Sequence, residues 1–153
     1  HVTDRRQRQM CIRDRSIISL SKKKNIDIKF IPNHKGSVSA DFQAIERIMN
    51  NLVDNAIKYS EKGSEITIST SNEGKDYIKV AVEDNGEGIS AEDQDQIFSR
   101  FFRTASARAT DNQGSGLGLA IVKHLVNNLN GEVGLESKPE KGSIFWFTVP
   151  ISQ

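Results

Sequence analysis

The stretch from Phe42 to Tyr59 constrains this chain more than any other. Phe42, Ile45, Met49, Leu52 and Ala56 step by three and four, and Ile48 and Ile57 widen the stripe. This is the period of a helix with one broad apolar face, and such a face needs a second layer to cover it. Candidate strands lie on both sides. Upstream, Ile26, Ile28 and Phe30 alternate with Asp27 and Lys29. Downstream, Ile66 and Ile68 alternate with polar residues across Glu65 to Ser71, and Ile78, Val80 and Val82 share a face within Tyr77 to Asp84. Alternation of period two predicts strands buried on one side. Ser39 or Asp41 supplies the helix N-cap, and the helix should stop near Tyr59 or Ser60, before Gly63.

The remaining segments extend this pattern. Ile31-Pro32-Asn33 should end the first strand, and Ser37-Val38-Ser39 reads as a short partner strand. Asn72-Glu73-Gly74-Lys75 reads as the loop of an antiparallel hairpin. Asp84 to Gly116 is loop-rich, with one short helical piece near Asp93 to Phe98. Residues 104–115 have almost no apolar content and are expected to be mobile. A second helix is expected over Leu117 to Asn128, with Leu117, Ala120, Ile121 and Leu125 on one face, ended by Asn130-Gly131. Glu132 to Ser137 and Ser143 to Val149 form a last hairpin around Pro139 to Gly142. The predicted class is α+β: a two-layer sandwich with a mixed, mostly antiparallel sheet packed on about three helices.

Composition narrows the function classes. With 153 residues, 36% hydrophobic and 27% charged, the chain suits one soluble core. Its longest near-apolar run, Ile144 to Val149, falls far short of the ~20 residues that span a bilayer. No apolar segment follows the basic start, so no secretory signal is read. Cys11 alone makes neither a disulfide framework nor a cysteine zinc site, and His1, His34 and His124 are scattered. The net charge of +1 hides an asymmetry: residues 1–35 carry ten Lys/Arg against three Asp/Glu, and residues 36–153 carry eleven against seventeen. Basic charge in one arm, with Phe30 its single aromatic, reads as a solvated tail, and no nucleic-acid partner is expected. Residues 1–15 show no apolar periodicity and are expected to be a disordered arm. Met10 to Arg15 resembles a translated transposase end sequence, so the arm reads as an assembly artefact, with the domain proper at 16–153.

Four motifs carry chemistry. Asn51, Asn55 and Lys58 sit at i, i+4 and i+7, so they share one helix face. Amides and an ammonium there suit phosphate and a hard cation, although a plain solvated face fits the same spacing. Asp84-Asn85-Gly86-Glu87-Gly88-Ile89 follows a strand. Its glycines let backbone approach a ligand, and its Asp can accept from an exocyclic amine, although an ordinary turn fits too. Ile97-Phe98-Ser99-Arg100-Phe101-Phe102-Arg103 reads equally as core packing, but Arg103 leads into the polar segment and can reach a phosphate. Gly114-Ser115-Gly116-Leu117-Gly118-Leu119 precedes a helix, where free N–H groups and the helix dipole favour an anion. No parallel strand precedes it and no G-K-S/T occurs, so neither a Rossmann nor a P-loop reading fits.

The ordered set NLVDNAIKY, DNGEGI, IFSRFFR, GSGLGLAIV and KGSIFWFTVP resembles the N, G1, F, G2 and G3 boxes of the catalytic ATP-binding domain of sensor histidine kinases. The resemblance spans about residues 25–151. It implies the Bergerat-type α/β sandwich shared with gyrase, Hsp90 and MutL ATPases, with ATP and Mg²⁺ as cofactors. It implies that Asn55 ligates the metal, that Asn51 lines the same edge, that Lys58 and Arg103 meet phosphate, and that Tyr59 packs on adenine. Asp84 would accept the adenine amino group, with Gly86, Gly88, Ile89 and Phe102 around the base. Gly114, Ser115, Gly116, Leu117, Gly118 and Leu119 would cap the phosphates beneath a lid formed by residues 104–115. Thr148 would join the adenine pocket through water.

The resemblance further implies a protein histidine kinase: Asn51, Lys58 and Arg103 would serve transfer of the γ-phosphoryl group to a histidine on an upstream dimerisation domain. ATP-hydrolysing relatives carry Glu where Asn51 stands, so this site should hold ATP for transfer rather than hydrolyse it. Implied partners are that dimerisation domain, a response-regulator receiver domain and a second copy in a full-length homodimer. The implied location of this domain is cytoplasmic, with inner-membrane anchoring of a longer protein left open. An anti-sigma-factor-type serine kinase of the same fold and a degenerate nucleotide-sensing module are the alternatives. Leu129-Asn130-Gly131 stands where the family often has His-Gly-Gly, and Asn130 can take the same left-handed conformation.

Overall fold

A computed structural model describes residues 25–38, 41–86, 88–99, 118–137 and 141–151, and for Tyr59 the backbone alone. The elements are β1 (Asp27–Asn33), α1 (Phe42–Tyr59), β2 (Glu65–Glu73), β3 (Tyr77–Asp84), α2 (Ala91–Gln94), α3 (Gly118–Asn128), β4 (Val133–Ser137) and β5 (Ser143–Pro150). The five strands form one sheet in the order β1-β2-β3-β5-β4. β1 pairs parallel with β2, and every other pairing is antiparallel. The chain thus has the predicted α+β sandwich. The parallel pair follows from α1, because a strand–helix–strand crossover returns the chain in its starting direction.

α1 forms where its stripe placed it. Asp41 caps it, its side chain accepting from the Gln43 N–H at 3.0 Å. Ile45, Ile48, Met49, Leu52, Val53, Ala56 and Ile57 are all buried. They meet Ile66, Ile68, Ile78, Val80, Val82, Phe145, Phe147 and Val149 from the sheet in one core. Each large aliphatic side chain so buried contributes roughly 1.5–3 kcal/mol.

Several boundaries differ from expectation for identifiable reasons. β1 runs through Pro32 and ends at Asn33, within the tripeptide expected to end it. As an edge strand it needs no donor on its outer side, so proline is tolerated. In place of a partner strand around Val38 there is a single bridge from Val38 to Ile151. The hairpin turn is tighter than expected, since β2 reaches Glu73 and β3 starts at Tyr77. The short helix sits at Ala91–Gln94, ahead of the expected Asp93 to Phe98, because Ser90 caps it by accepting from Asp93 N–H. α3 buries Leu119, Val122 and Val126, whereas Ala120, Ile121 and Leu125 of the predicted stripe are only half-buried and Leu117 lies outside the described residues. It ends as predicted, with Asn130 left-handed at φ 63°. The Gly131 N–H reaches the Val126 carbonyl at 3.0 Å and the Asn130 N–H reaches that of Asn127 at 3.1 Å.

Candidate functional site

α1 presents Asn51, Asn55 and Lys58, all half-buried, along one edge. A side chain on Gly118 would come within 3.5 Å of Asn51 Oδ1. The first residue of α3 therefore lies against the polar edge of α1, and two of the predicted site segments meet. The positive end of α3 faces the same region, so it favours an anion there. The Lys58 ammonium is held 3.0 Å from Asp54 Oδ2, one turn back on the same helix. A partly exposed pair of this kind contributes little to stability.

The second half of the site is built around Asp84, at the end of β3. It is 5% exposed. Its Oδ1 accepts from Gly86 N–H at 2.9 Å, and the Ser143 backbone N–H also donates to the carboxylate. Burial pushes the Asp84 carboxyl above its usual range, the two backbone donors oppose that, and the neighbouring Glu83 charge adds to it. Among the described residues no cation pairs with Asp84. Gly142 packs directly on the Asp84 carbonyl with φ 86°, so a side chain there would be both strained and obstructed. Gly88 turns the loop with φ 76°.

That loop is fastened to the β4–β5 hairpin. The Ile89 N–H donates to Ser137 Oγ at 2.8 Å, and the Gln94 amide donates to the Ile89 carbonyl at 2.8 Å and to the Ser137 carbonyl at 3.0 Å. Behind it, Ile97 is buried and Phe98 meets Phe145 edge-on, with centroids 6.2 Å apart. Phe98 therefore takes the packing role that its motif allowed.

Asn51 and Gly118 come together, as do Asp84, Gly86 and the loop to Ile89. Thr148 does not join them. It pairs with Lys79, whereas Asp84 pairs with Ser143. Five residues of strand separate the two positions, about 17 Å, and the odd count puts Thr148 on the opposite face. Its hydroxyl accepts from Glu132 N–H at 2.9 Å, a structural role. The residue that sequence reasoning missed is Ser143, which is buried beside Asp84 and has its hydroxyl 2.8 Å from Ser137 Oγ. The signal was present: Ser143 shares parity with the inward Phe145, Phe147 and Val149. The Leu119 side chain belongs to the core, which leaves only its backbone for a ligand. Phe102, Arg103, Gly114, Ser115, Gly116 and Leu117, the Tyr59 side chain, the expected lid 104–115 and the arm 1–15 lie outside the described residues.

The donor set fits magnesium carried by a polyphosphate. Among the described residues, no three His, Cys, Asp or Glu side chains cluster to hold a metal unaided. The α1 edge instead offers amide oxygens from Asn51 and Asn55, suited to a hard cation that keeps phosphate and water ligands. No helix among the described residues is long and apolar enough to cross a membrane.

A sheet with helices on one face, a buried Asp at a strand end and an amide-bearing helix edge beside a helix start define a nucleotide-binding sandwich. Residues 40–153 match the family described as histidine kinase-, DNA gyrase B- and HSP90-like ATPase, and the chain belongs to that family. Within it, the sensor-like histidine kinase SenX3 of Mycolicibacterium smegmatis is 48% identical over 100 residues, covering 65% of this chain and 26% of SenX3. The mycobacterial sensor histidine kinase MprB superposes with TM-score 0.78 at 29% identity, covering 94% of this chain and 95% of the MprB chain. Full-length ShkA in complex with AMPPNP gives TM-score 0.80 at 26% identity, covering 96% of this chain and 29% of ShkA. ThkA in complex with the response regulator TrrA gives 0.77 at 25% identity, covering 99% of this chain and 41% of that one. The chain spans about a quarter of the length of SenX3.

Proposed function

We propose that this domain binds Mg-ATP between the α1 edge and the Asp84 loop and presents the γ-phosphoryl group to a histidine on a dimerisation domain. The observation that carries the reading is Asp84: a buried carboxylate, unpaired with any described cation, beside backbone that only glycine permits. Its two backbone donors hold the turn, and a buried carboxylate whose charge is disfavoured is a candidate for binding a ligand. Its acceptor oxygens suit the amino group of adenine, and a site built on such a bond rejects a base lacking that donor. The AMPPNP complex of ShkA supports the nucleotide, and the ThkA–TrrA complex supports a response regulator as the downstream partner.

In this reading Asn55, with Asn51 beside it, would hold the magnesium, and the ion would supply neutralisation of phosphate charge. Lys58 would meet a phosphate oxygen and the α3 start would receive the phosphate tail, where the family resemblance also implies Arg103 and residues 114–117. Phosphoryl transfer then depends mainly on positioning and charge neutralisation. Asn51 carries no basic carboxylate to activate water, so the bound ATP is kept for transfer. The SenX3 and MprB similarities favour this over a serine kinase of the same fold. Asn55→Ala tests the assignment by calorimetry with and without Mg²⁺: the magnesium-dependent part of ATP affinity should disappear while the circular dichroism spectrum is retained. Unchanged magnesium dependence would remove Asn55 from the metal.

A further inference from the structure

We propose that Ser137, on β4, determines base specificity by fixing which way the Ser143 hydroxyl points beside Asp84. This rests on the ATP-site reading above and deepens it. Ser137 Oγ has three polar neighbours to satisfy with one hydrogen and two lone pairs. Ile89 N–H donates to it at 2.8 Å, Gly142 O lies at 3.0 Å, and Ser143 Oγ lies at 2.8 Å. The Gly142 carbonyl can only accept, so the Ser137 hydrogen goes there. One lone pair is taken by Ile89, and the other is left for Ser143. The Ser143 hydroxyl must then donate to Ser137, and what it offers on its remaining side is an acceptor.

The consequence is chemical. Asp84 accepts through its carboxylate, and Ser143, its strand partner, now also accepts. Two acceptors side by side fit a base edge that bears an amino group and repel one that bears a carbonyl. Removing the Ser137 hydroxyl frees the Ser143 hydrogen, which can then turn toward a carbonyl and welcome it. Ser137 touches no base in this scheme; it is a positioning residue. Gln94 supports it by tying the Ile89 and Ser137 carbonyls together, so the loop and the hairpin cannot separate.

The test is equilibrium binding of ATP, GTP and inorganic tripolyphosphate, each with Mg²⁺, to the 153-residue chain and its variants. Ser137→Ala should lower the ATP:GTP affinity ratio about tenfold, the size expected for one misdirected buried hydrogen bond, and leave tripolyphosphate unchanged. Ser137→Thr, which keeps the hydroxyl, should restore the ratio. A purely structural role would instead weaken all three ligands together. Should Ser137→Ala not fold, Ser137→Cys preserves the volume with a poor hydrogen-bonding group and should show the same fall. An unaltered ratio in a folded Ala or Cys variant overturns the proposal while leaving the ATP site standing. If the unsubstituted chain binds none of the three, the ATP-site reading has failed, and this inference with it.

Discussion

At the scale of the residue, Asp84 shows how function sets a stability penalty. Its carboxyl holds a proton more tightly in the folded chain than its ordinary value of 3.8 allows. Between those two values the folded state binds more protons than the unfolded one, so this group's effect on stability falls as pH rises through them. Asp84→Asn should therefore raise the melting temperature at pH 7, and the gain should shrink toward zero as pH drops below about 3.8. Asn can still accept from Gly86 N–H, so the turn survives. The same change presents an amide where the ligand needs an acceptor, and ATP affinity should fall at least tenfold by calorimetry. Loss of stability at neutral pH would show that the carboxylate has a structural partner. Ser143 is the residue-scale lesson in legibility. Both Ser143 and Thr148 are visible at the two ends of one strand, and only the register with β3 decides which of them meets Asp84.

At the scale of the element, legibility followed the sharpness of the amphipathic pattern. α1 separates apolar from polar residues so cleanly that its face, cap and end are all readable. In α3 the run Gly118 to Val126 is apolar nearly all round, so several stripes fit the period equally and periodicity points to the wrong one. Which side faces inward is settled by packing against α1 and the sheet. The parallel pairing of β1 with β2 is likewise absent from the period, which says that a strand exists but not who its neighbour is. These assignments make distinct predictions. Val126→Ala in α3 should cost about 1–3 kcal/mol in urea unfolding, because Val126 is fully buried. Leu125→Ala, on the stripe that periodicity alone would turn inward, is only half-buried and should cost clearly less. Equal costs would mean that α3 is rotated about its axis, with Leu125 brought into the core.

At the scale of the whole molecule, the site has two halves: the α1 edge with the start of α3, and the Asp84 loop with the β4–β5 hairpin. A ligand that spans them should stiffen the domain, and Mg-ATP at a hundred times its Kd should add about 2.7 kcal/mol to stability. The phosphoryl group has no acceptor among the described histidines near that site. His34 Nδ1 lies 2.6 Å from Thr70 Oγ1 at the β1–β2 edge, and His124 is exposed on α3, 3.3 Å from the Asn128 amide. Labelled Mg-ATP should therefore leave this chain itself unlabelled. Adding a dimerisation domain that carries the phosphoacceptor helix should produce an acid-labile phosphohistidine on that second protein, and Asp84→Asn should abolish it. Label appearing on this chain without the added domain would mean that the γ-phosphoryl group meets an acceptor within it, and the site would have to be drawn around that residue instead.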